Sequence, residues 1–357
     1  MYASVSSSFR DNLLRAIRFE QPEFIPMTFH INDACWAAYP HDALFELIEK
    51  HPFLFPNYVR PQEPFIPNFD DVARKDTPYT DDFGCVWRTM VDGITGAVHI
   101  HPLADWSTYE NYKFPDPEQS NGLRWIDWAA FKKKIHQQKM QGETTYGDLR
   151  HGHTFLQLAD LRGYENLLLD MMNEEPLLSD LIYRLEGFNT AQIHHFLDAD
   201  VDIVRIPEDL GMQVGPMLSP NNFRQYIKPS YQRMIALVRQ AGKIVHMHSD
   251  GDIRMLTDDI IDGGVEVLNL QDLVNGITWI EKHLKGRVCI DLDIDRQKIT
   301  PYGSPAEIDA LIQEEVTRLS TKEGGLMMVY GLYPGVPLEN VKALMDAMEK
   351  YAFYQGE

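Results

Sequence analysis

From about residue 123 onward the chain alternates short β-favouring runs with longer helical patterns, and this alternation constrains its fold more than any other feature. Helical patterns cover 125–138, 164–173, 176–197, 219–240, 252–262, 279–284, 304–319 and 337–351. Strand-like runs lie between them at 144–149, 201–207, 243–248, 265–270, 288–294 and 326–330. Ser219-Pro220 places a cap residue before a proline at the first helical position. Ser304-Pro305-Ala306-Glu307 spells a capping box. Strands joined through helices return to the same edge and pair in parallel. At least five such units in succession favour a (β/α)8 TIM barrel over an open doubly wound sheet. The lack of a Gly-x-Gly-x-x-Gly after any strand, or of a Gly-Lys-Ser/Thr loop, points the same way.

The expectation is therefore a single barrel domain over residues 1–357. Residues 1–122 form an N-terminal elaboration that includes the first strand, and 123–357 carry the regular repeats. In the elaboration, residues 8–20 are helical until Pro22 and Pro26 stop them. Phe24–Ile31 then reads as a strand ending at His30, Asn32 and Asp33. Residues 51–70 are proline-rich covering structure, and 80–101 alternate around Asp92-Gly93, a hairpin signal.

Charge narrows the partners. A net charge of −20 argues against nucleic acid or an anionic membrane surface, which need clustered Lys and Arg. No apolar run reaches the roughly 20 residues that span a bilayer. The Ser-rich start, Met1 to Phe9, lacks the apolar core of a secretion signal, so a cytoplasmic location is expected. Cys35, Cys85 and Cys289 are too few and too widely spaced for a disulfide framework and read as small buried fillers. The pairs Met171-Met172 and Met327-Met328, and the tryptophans at 36, 87, 106, 125 and 128, read as packing residues.

A barrel builds its active site at the carboxyl ends of its strands. That rule gathers His30 and Asp33, Glu208 and Asp209, and His246, His248 and Asp250 into one set. Asn269 and Gln271, Asp291 and Asp293, and Tyr330 and Tyr333 join it. The densest stretch is Lys243–Ile253, where His246 and His248 share one strand face and Asp250 and Asp252 flank Gly251. Each residue alone reads more readily as a cap or turn former than as a site residue. Their recurrence at strand after strand makes an acidic polar pocket, fitted to acid–base chemistry.

Several motifs in this order resemble the uroporphyrinogen decarboxylase-like superfamily, which includes corrinoid- and coenzyme M-dependent methyltransferases. They are Pro102-Leu103 with Lys113-Phe114-Pro115-Asp116, Glu208-Asp209-Leu210-Gly211-Met212-Gln213 and Gly215-Pro216-Met217-Leu218-Ser219-Pro220. His248-Ser249-Asp250-Gly251, Gly264-Val265-Glu266-Val267-Leu268-Asn269 and Pro337-Leu338-Glu339-Asn340-Val341 complete the set. The resemblance covers nearly the whole chain and implies a (β/α)8 barrel. True porphyrinogen decarboxylases carry an arginine-rich segment after the first strand. Here Thr28–Trp36 contains no arginine, so an eight-carboxylate substrate would lack counter-charges. The zinc methyltransferases carry His-x-Cys and a later Cys; here His248, Asp250 and Leu332 occupy those places.

The resemblance implies a methyltransferase that moves a methyl group from a methoxylated or methylated small molecule to a separate corrinoid protein. In that reading His248, Asp250, Glu208 and Asp209 are catalytic. His30, Asp33, Gln213, His246, Asn269, Gln271, Asp293, Tyr330 and Tyr333 hold substrate, and His248, Asp250 and His246 are the candidate zinc ligands. A cofactor-independent decarboxylase of a small or porphyrin-like acid is the alternative; it needs a cationic anchor such as Arg205 or Arg150. A non-catalytic binding barrel is the third. The architecture permits a homodimer, with no sequence feature that specifies one.

Overall fold

The computed structural model describes residues 8–62 and 65–354. The stretch expected to lack a secretion core lies mostly outside them, in residues 1–7, as does Pro64 of the proline-rich segment. In chain order the first strands are β1 (Met27–Ile31), β2 (Tyr79–Thr80), β3 (Val86–Arg88), β4 (Ala97–Ile100), β5 (Tyr146–Asp148) and β6 (Ile203–Pro207). They are followed by β7 (Gly211–Met212), β8 (Gly215–Pro216), β9 (Ile244–Ser249), β10 (Val267–Gln271), β11 (Cys289–Asp293) and β12 (Leu326–Leu332). The chain divides into two compact units, one comprising 1–78, 88–97 and 271–357, the other 79–87 and 98–270.

In the first unit β1 pairs in parallel with β12, which pairs in parallel with β11. Cys289, Ile290, Leu292, Met328 and Leu332 are fully buried, so these strands read as apolar runs rather than alternating ones. The helix Pro305–Leu319 opens with the expected capping box at Ser304 and Glu307, and Leu338–Tyr351 closes the chain. In the second unit β10, β9, β6 and β5 lie side by side, all in parallel. Parallel α/β structure with helical connections is thus what the periodicity leads to.

Three local expectations change. Asp92-Gly93 does not form a two-residue hairpin turn; it lies in the link between β3 and β4. Gly93, at φ 82°, lets the Asp33–Ala34 backbone approach so closely that a Cβ would lie 2.3 Å from the Ala34 nitrogen. The helix over 219–240 is interrupted by a π-turn at Phe223–Ile227. Pro229, which has no N–H to donate, sits just past that turn, where a regular ladder would need it. The helix expected from Asp252 begins only at Thr257, because Asp252 turns back: its N–H donates to Met212 O and its carboxylate pairs with Arg254 at 2.7 Å.

The helix Phe155–Arg162, like His41–Lys50 before it, was not expected; the later one is held from afar. The first turn of Phe155–Arg162 is bound by a carboxylate distant in sequence, Glu208.

All three cysteines are buried and free, as fillers should be. Trp36 packs among Phe45 and Phe65, Trp106 lies under the Arg162 guanidinium, and Trp128 stacks on His195. Trp125 is exposed. Among the described residues, no helix is long and apolar enough to cross a membrane.

Candidate functional site

The parallel order β5, β6, β9, β10 of the second unit brings four strand ends together. Register sets Pro207 beside His248, and His248 beside Asn269. Residues just beyond these positions therefore converge. His151 follows β5, Asp209 follows β6, His248 ends β9 and Asn269 belongs to β10.

His248 is at the centre. Its Nε2 lies 3.5 Å from Asp209 Oδ1 and 3.8 Å from Asp250 Oδ1, and its Nδ1–H donates to Asn269 Oδ1. The side chain keeps 21% of its surface exposed, enough to be reached. Burial works against its charged form. The hydrogen bond to Asp209 and the charges of Asp250 and Asp209 outweigh burial, and with Asn269 they push the imidazolium up to about 9.

Asp209 is the hub on the other side. His151 Nε2 approaches its Oδ1 at 3.4 Å, and the Asp250 N–H donates to the same oxygen at 3.2 Å. Burial alone would raise its affinity for a proton, but the hydrogen bonds and charges of His151 and His248 hold it well below the usual carboxylate range. The rings of His151 and His248 stand 5.6 Å apart.

His151, Asp209 and His248 each offer a ligand atom, and the three atoms lie within 4.8 Å of one another. Two imidazole nitrogens and one carboxylate oxygen are a donor set that fits zinc or a similar borderline ion. His246, expected as a ligand, is not part of this group: it sits one pleat repeat earlier on β9. Leu332, in the place of the family's third ligand, is a fully buried apolar residue of the first unit.

Glu208, expected as a catalytic carboxylate beside Asp209, is placed differently. It has no exposed surface. Its oxygens accept the N–H groups of Thr154, Phe155 and Leu156 at 2.9–3.0 Å and the Tyr231 hydroxyl at 2.7 Å. It caps the helix Phe155–Arg162, binding orphan donors of the first turn. Consecutive residues thus take opposite duties, Glu208 turned into the core and Asp209 toward the histidines.

The remaining expected residues divide between the units. Gln213 is exposed at the turn between β7 and β8. That hairpin docks beside Asp250 through main chain: Gly211 N–H donates to Asp250 O, and Asp252 N–H to Met212 O. A Cβ on Gly251, whose φ is 80°, would lie 2.2 Å from the Gly211 carbonyl carbon, so the approach requires glycine.

In the first unit His30 and Asp33 are exposed near the end of β1, while Gln271 and Asp291 are buried. Asp293 is buried and paired with Arg296 at 2.6 Å. Tyr333 lies under that guanidinium and helps line a cavity of about 310 Å³. Tyr330 has no exposed surface and donates its hydroxyl to Thr300 Oγ1.

The residue that sequence reasoning missed is His151. Its signal was present: Arg150-His151-Gly152-His153 follows a strand directly, as Glu208-Asp209 does. Neither arginine considered as a substrate anchor is uncommitted. Arg150 binds Asp81, Asp160 and Gln157, and Arg205 grips Asp148 through two nitrogens.

Comparison with known proteins adds a consistent frame. The family described as Uroporphyrinogen decarboxylase (URO-D) matches residues 137–351. Methylcobamide:CoM methyltransferase MtaA of Methanosarcina barkeri is 26% identical over 165 residues, 45% of each chain. Uroporphyrinogen decarboxylase of Thermus thermophilus is 26% identical over 188 residues, 51% of each chain. The chain therefore spans about half the length of these relatives. A solved methyltransferase from Methanosarcina mazei shares the fold, with a TM-score of 0.65 at 17% identity over 96% of this chain and 99% of that one.

Proposed function

Because this chain belongs to the uroporphyrinogen decarboxylase (URO-D) family, we propose that it is a methyltransferase of that family, built on a (β/α)8 barrel. In this reading it takes a methyl group from a methoxylated or methylated small molecule and delivers it to a corrinoid protein. The observation that carries the reading is the convergence of His151, Asp209 and His248. Similarity to the MtaA methyltransferase supports the same direction.

Demethylating an ether or amine requires that the departing oxygen or nitrogen receive positive charge or a proton. His248 is equipped for this: held as imidazolium by Asp209 and Asp250, it donates a proton from Nε2 to the leaving group. Asp209 then stabilises the site through His151 and accepts the Asp250 N–H, which fixes its orientation. Asn269 holds the His248 ring through Nδ1. Zinc, if bound, would be held by His151, Asp209 and a neutral His248, taking the place of the Nε2 proton, and would supply Lewis acidity at the same leaving group. Glu208 acts as a positioning residue, anchoring the segment that follows His151. His30, Asp33, Gln213, His246, Gln271, Asp293, Tyr330 and Tyr333 stay candidates for substrate contact only.

Decarboxylation of a multiply charged acid is less well supported. Its carboxylates need cationic partners, and Arg150 and Arg205 are already paired with Asp81, Asp160 and Asp148. The test is methyl transfer to reduced cobalamin from a panel of methoxylated aromatics and methylamines, with metal content measured on the same protein. Turnover that is lost in His248→Ala is expected. Release of carbon dioxide from an organic acid without methyl transfer would replace this reading with the lyase. No turnover with any donor or acid would leave a binding barrel.

A further inference from the structure

A cavity in the first unit lies away from the strand ends that carry His30 and Tyr333. It has a volume of about 410 Å³ and opens at the N-terminal ends of β1 and β12, where Phe24, Ile25 and Leu326 form part of its wall. Barrel chemistry belongs to the opposite, C-terminal ends, so the reaction gives no account of this cavity.

Its charge is opposite to that of the protein. The chain carries −20 overall, yet the lining holds Arg15 and Lys322 against a single carboxylate, Glu23. Glu23 is turned toward Arg15 at 3.7 Å. Arg15 also donates to the carbonyls of Glu20 and Gln21, so it serves as a fixed cationic wall. Lys322 is exposed and makes no ion pair among the described residues.

A second observation is independent of charge. Ser320 is only 4% exposed, lies in the cavity wall, and its Oγ is buried with no hydrogen-bond partner among the described residues. A buried hydroxyl left unsatisfied costs about 1–3 kcal/mol unless something supplies the bond. A turn of the Ser320 side chain toward the cavity would let a bound ligand supply it.

The walls are built to hold shape. Gln21 is in the left-handed region at φ 54°, its N–H tied to Glu323 O. A Cβ on Gly325 would lie 2.1 Å from the Phe19 ring, so a glycine there is what lets the loop close against the first helix, Phe9–Arg18. Polar groups share the lining with Pro22, Phe24 and Tyr354. That combination suits a small molecule with a charged head and an apolar body.

We infer that the cavity between Arg15, Ser320 and Lys322 is a second binding site, selective for a small organic anion bearing a phosphate or carboxylate group. Lys322 supplies the mobile counter-charge, Arg15 the fixed one, and Ser320 Oγ–H, once turned into the cavity, donates to the anion. The site is independent of the methyl-transfer reading.

Phenyl phosphate and benzoate are the probes, titrated by calorimetry into the full chain. Saturable one-to-one binding of at least one probe is expected. Lys322→Glu, a change at an exposed side chain, should weaken it by about tenfold or more. Ser320→Ala should weaken it less while leaving the unliganded protein as stable or more stable. His248→Ala should bind like the wild type. Two results overturn the inference: no saturable binding of either probe, or binding that survives Lys322→Glu and is lost in His248→Ala, which would place the anion at the strand-end site.

Discussion

His248 Nε2 and Asp209 Oδ1 stand 3.5 Å apart at the ends of neighbouring parallel strands, and each alters the other's proton affinity in the direction that keeps both charged. The histidine is raised from 6.5 to about 9, so in metal-free protein the pair stabilises the fold fully below about pH 6.5 on the histidine side. That contribution is lost as pH rises through about 9. Asp209 is lowered, so its share is present above its ordinary value of 3.8 and disappears only in stronger acid. Asp209→Asn should therefore lower the His248 titration midpoint, read by NMR of the imidazole in chelator-treated protein. Its stability deficit relative to wild type should be greatest between about pH 4 and 6.5 and shrink toward pH 9. An unchanged His248 midpoint would contradict the pairing.

His151 tests the metal directly. If His151, Asp209 and His248 hold zinc, His151→Ala should reduce metal stoichiometry after dialysis against a weak chelator, with affinity down by at least about a hundredfold. His246→Ala should retain the metal. The reverse pattern would return the ligand role to His246.

Glu208 separates fold from catalysis. Removing its carboxylate leaves the Thr154, Phe155 and Leu156 N–H groups and the Tyr231 hydroxyl without their buried acceptor. Glu208→Ala should cost about 3–5 kcal/mol in urea unfolding, a loss much larger than that of a surface carboxylate. A variant of wild-type stability would show that Glu208 is no cap.

Glu315 and Asp272 of the first unit make a buried acidic pair with Asp295 close by. Burial raises both, Asp272 to about 6; the Glu315 hydrogen bond and the Leu273 and Asp295 N–H groups hold Asp272 back, whereas Asp272 and Asp295 push Glu315 further up. Groups raised on folding stabilise at low pH and cease to do so as pH climbs through the folded value. Glu315→Gln gives Asp272 a permanent N–H donor. Its melting temperature should exceed that of wild type by about 2 °C or more at pH 8, with the gap closing near pH 4. A constant gap would mean that no proton is shared.

Periodicity made the parallel α/β frame legible, because apolar runs such as Val201–Pro207 and Lys243–His248 are separated by helices with readable caps. It also made His248, Asp209 and Asn269 legible, since each lies near or just beyond the carboxyl end of a recognisable strand. The failures have local causes. His151 was passed over although the strand before it was expected at 144–149, because it stands in a turn three residues beyond the end of β5. The helix after it, Phe155–Arg162, mixes Gln157 and Arg162 into its buried face, so its amphipathic pattern is blurred. Glu208 was misjudged because spacing alone does not tell an acid that faces solvent from one that binds a distant helix end. Charge pairing of Arg150 across to Asp81, 69 residues away in sequence, has no local trace at all.

The hairpin of β7 and β8 is tied down by amide-to-carbonyl bonds at Gly211 and Met212 and by a glycine-to-glycine approach. None of those ties involves the side chains of Met212, Gln213 or Val214, which project outward, Val214 with 93% of its surface exposed. Mutational drift is therefore tolerated at the tip and forbidden at the base. New side chains can be tried at the rim of the site, one after another, without any renegotiation of the scaffold that holds His248 and Asp209.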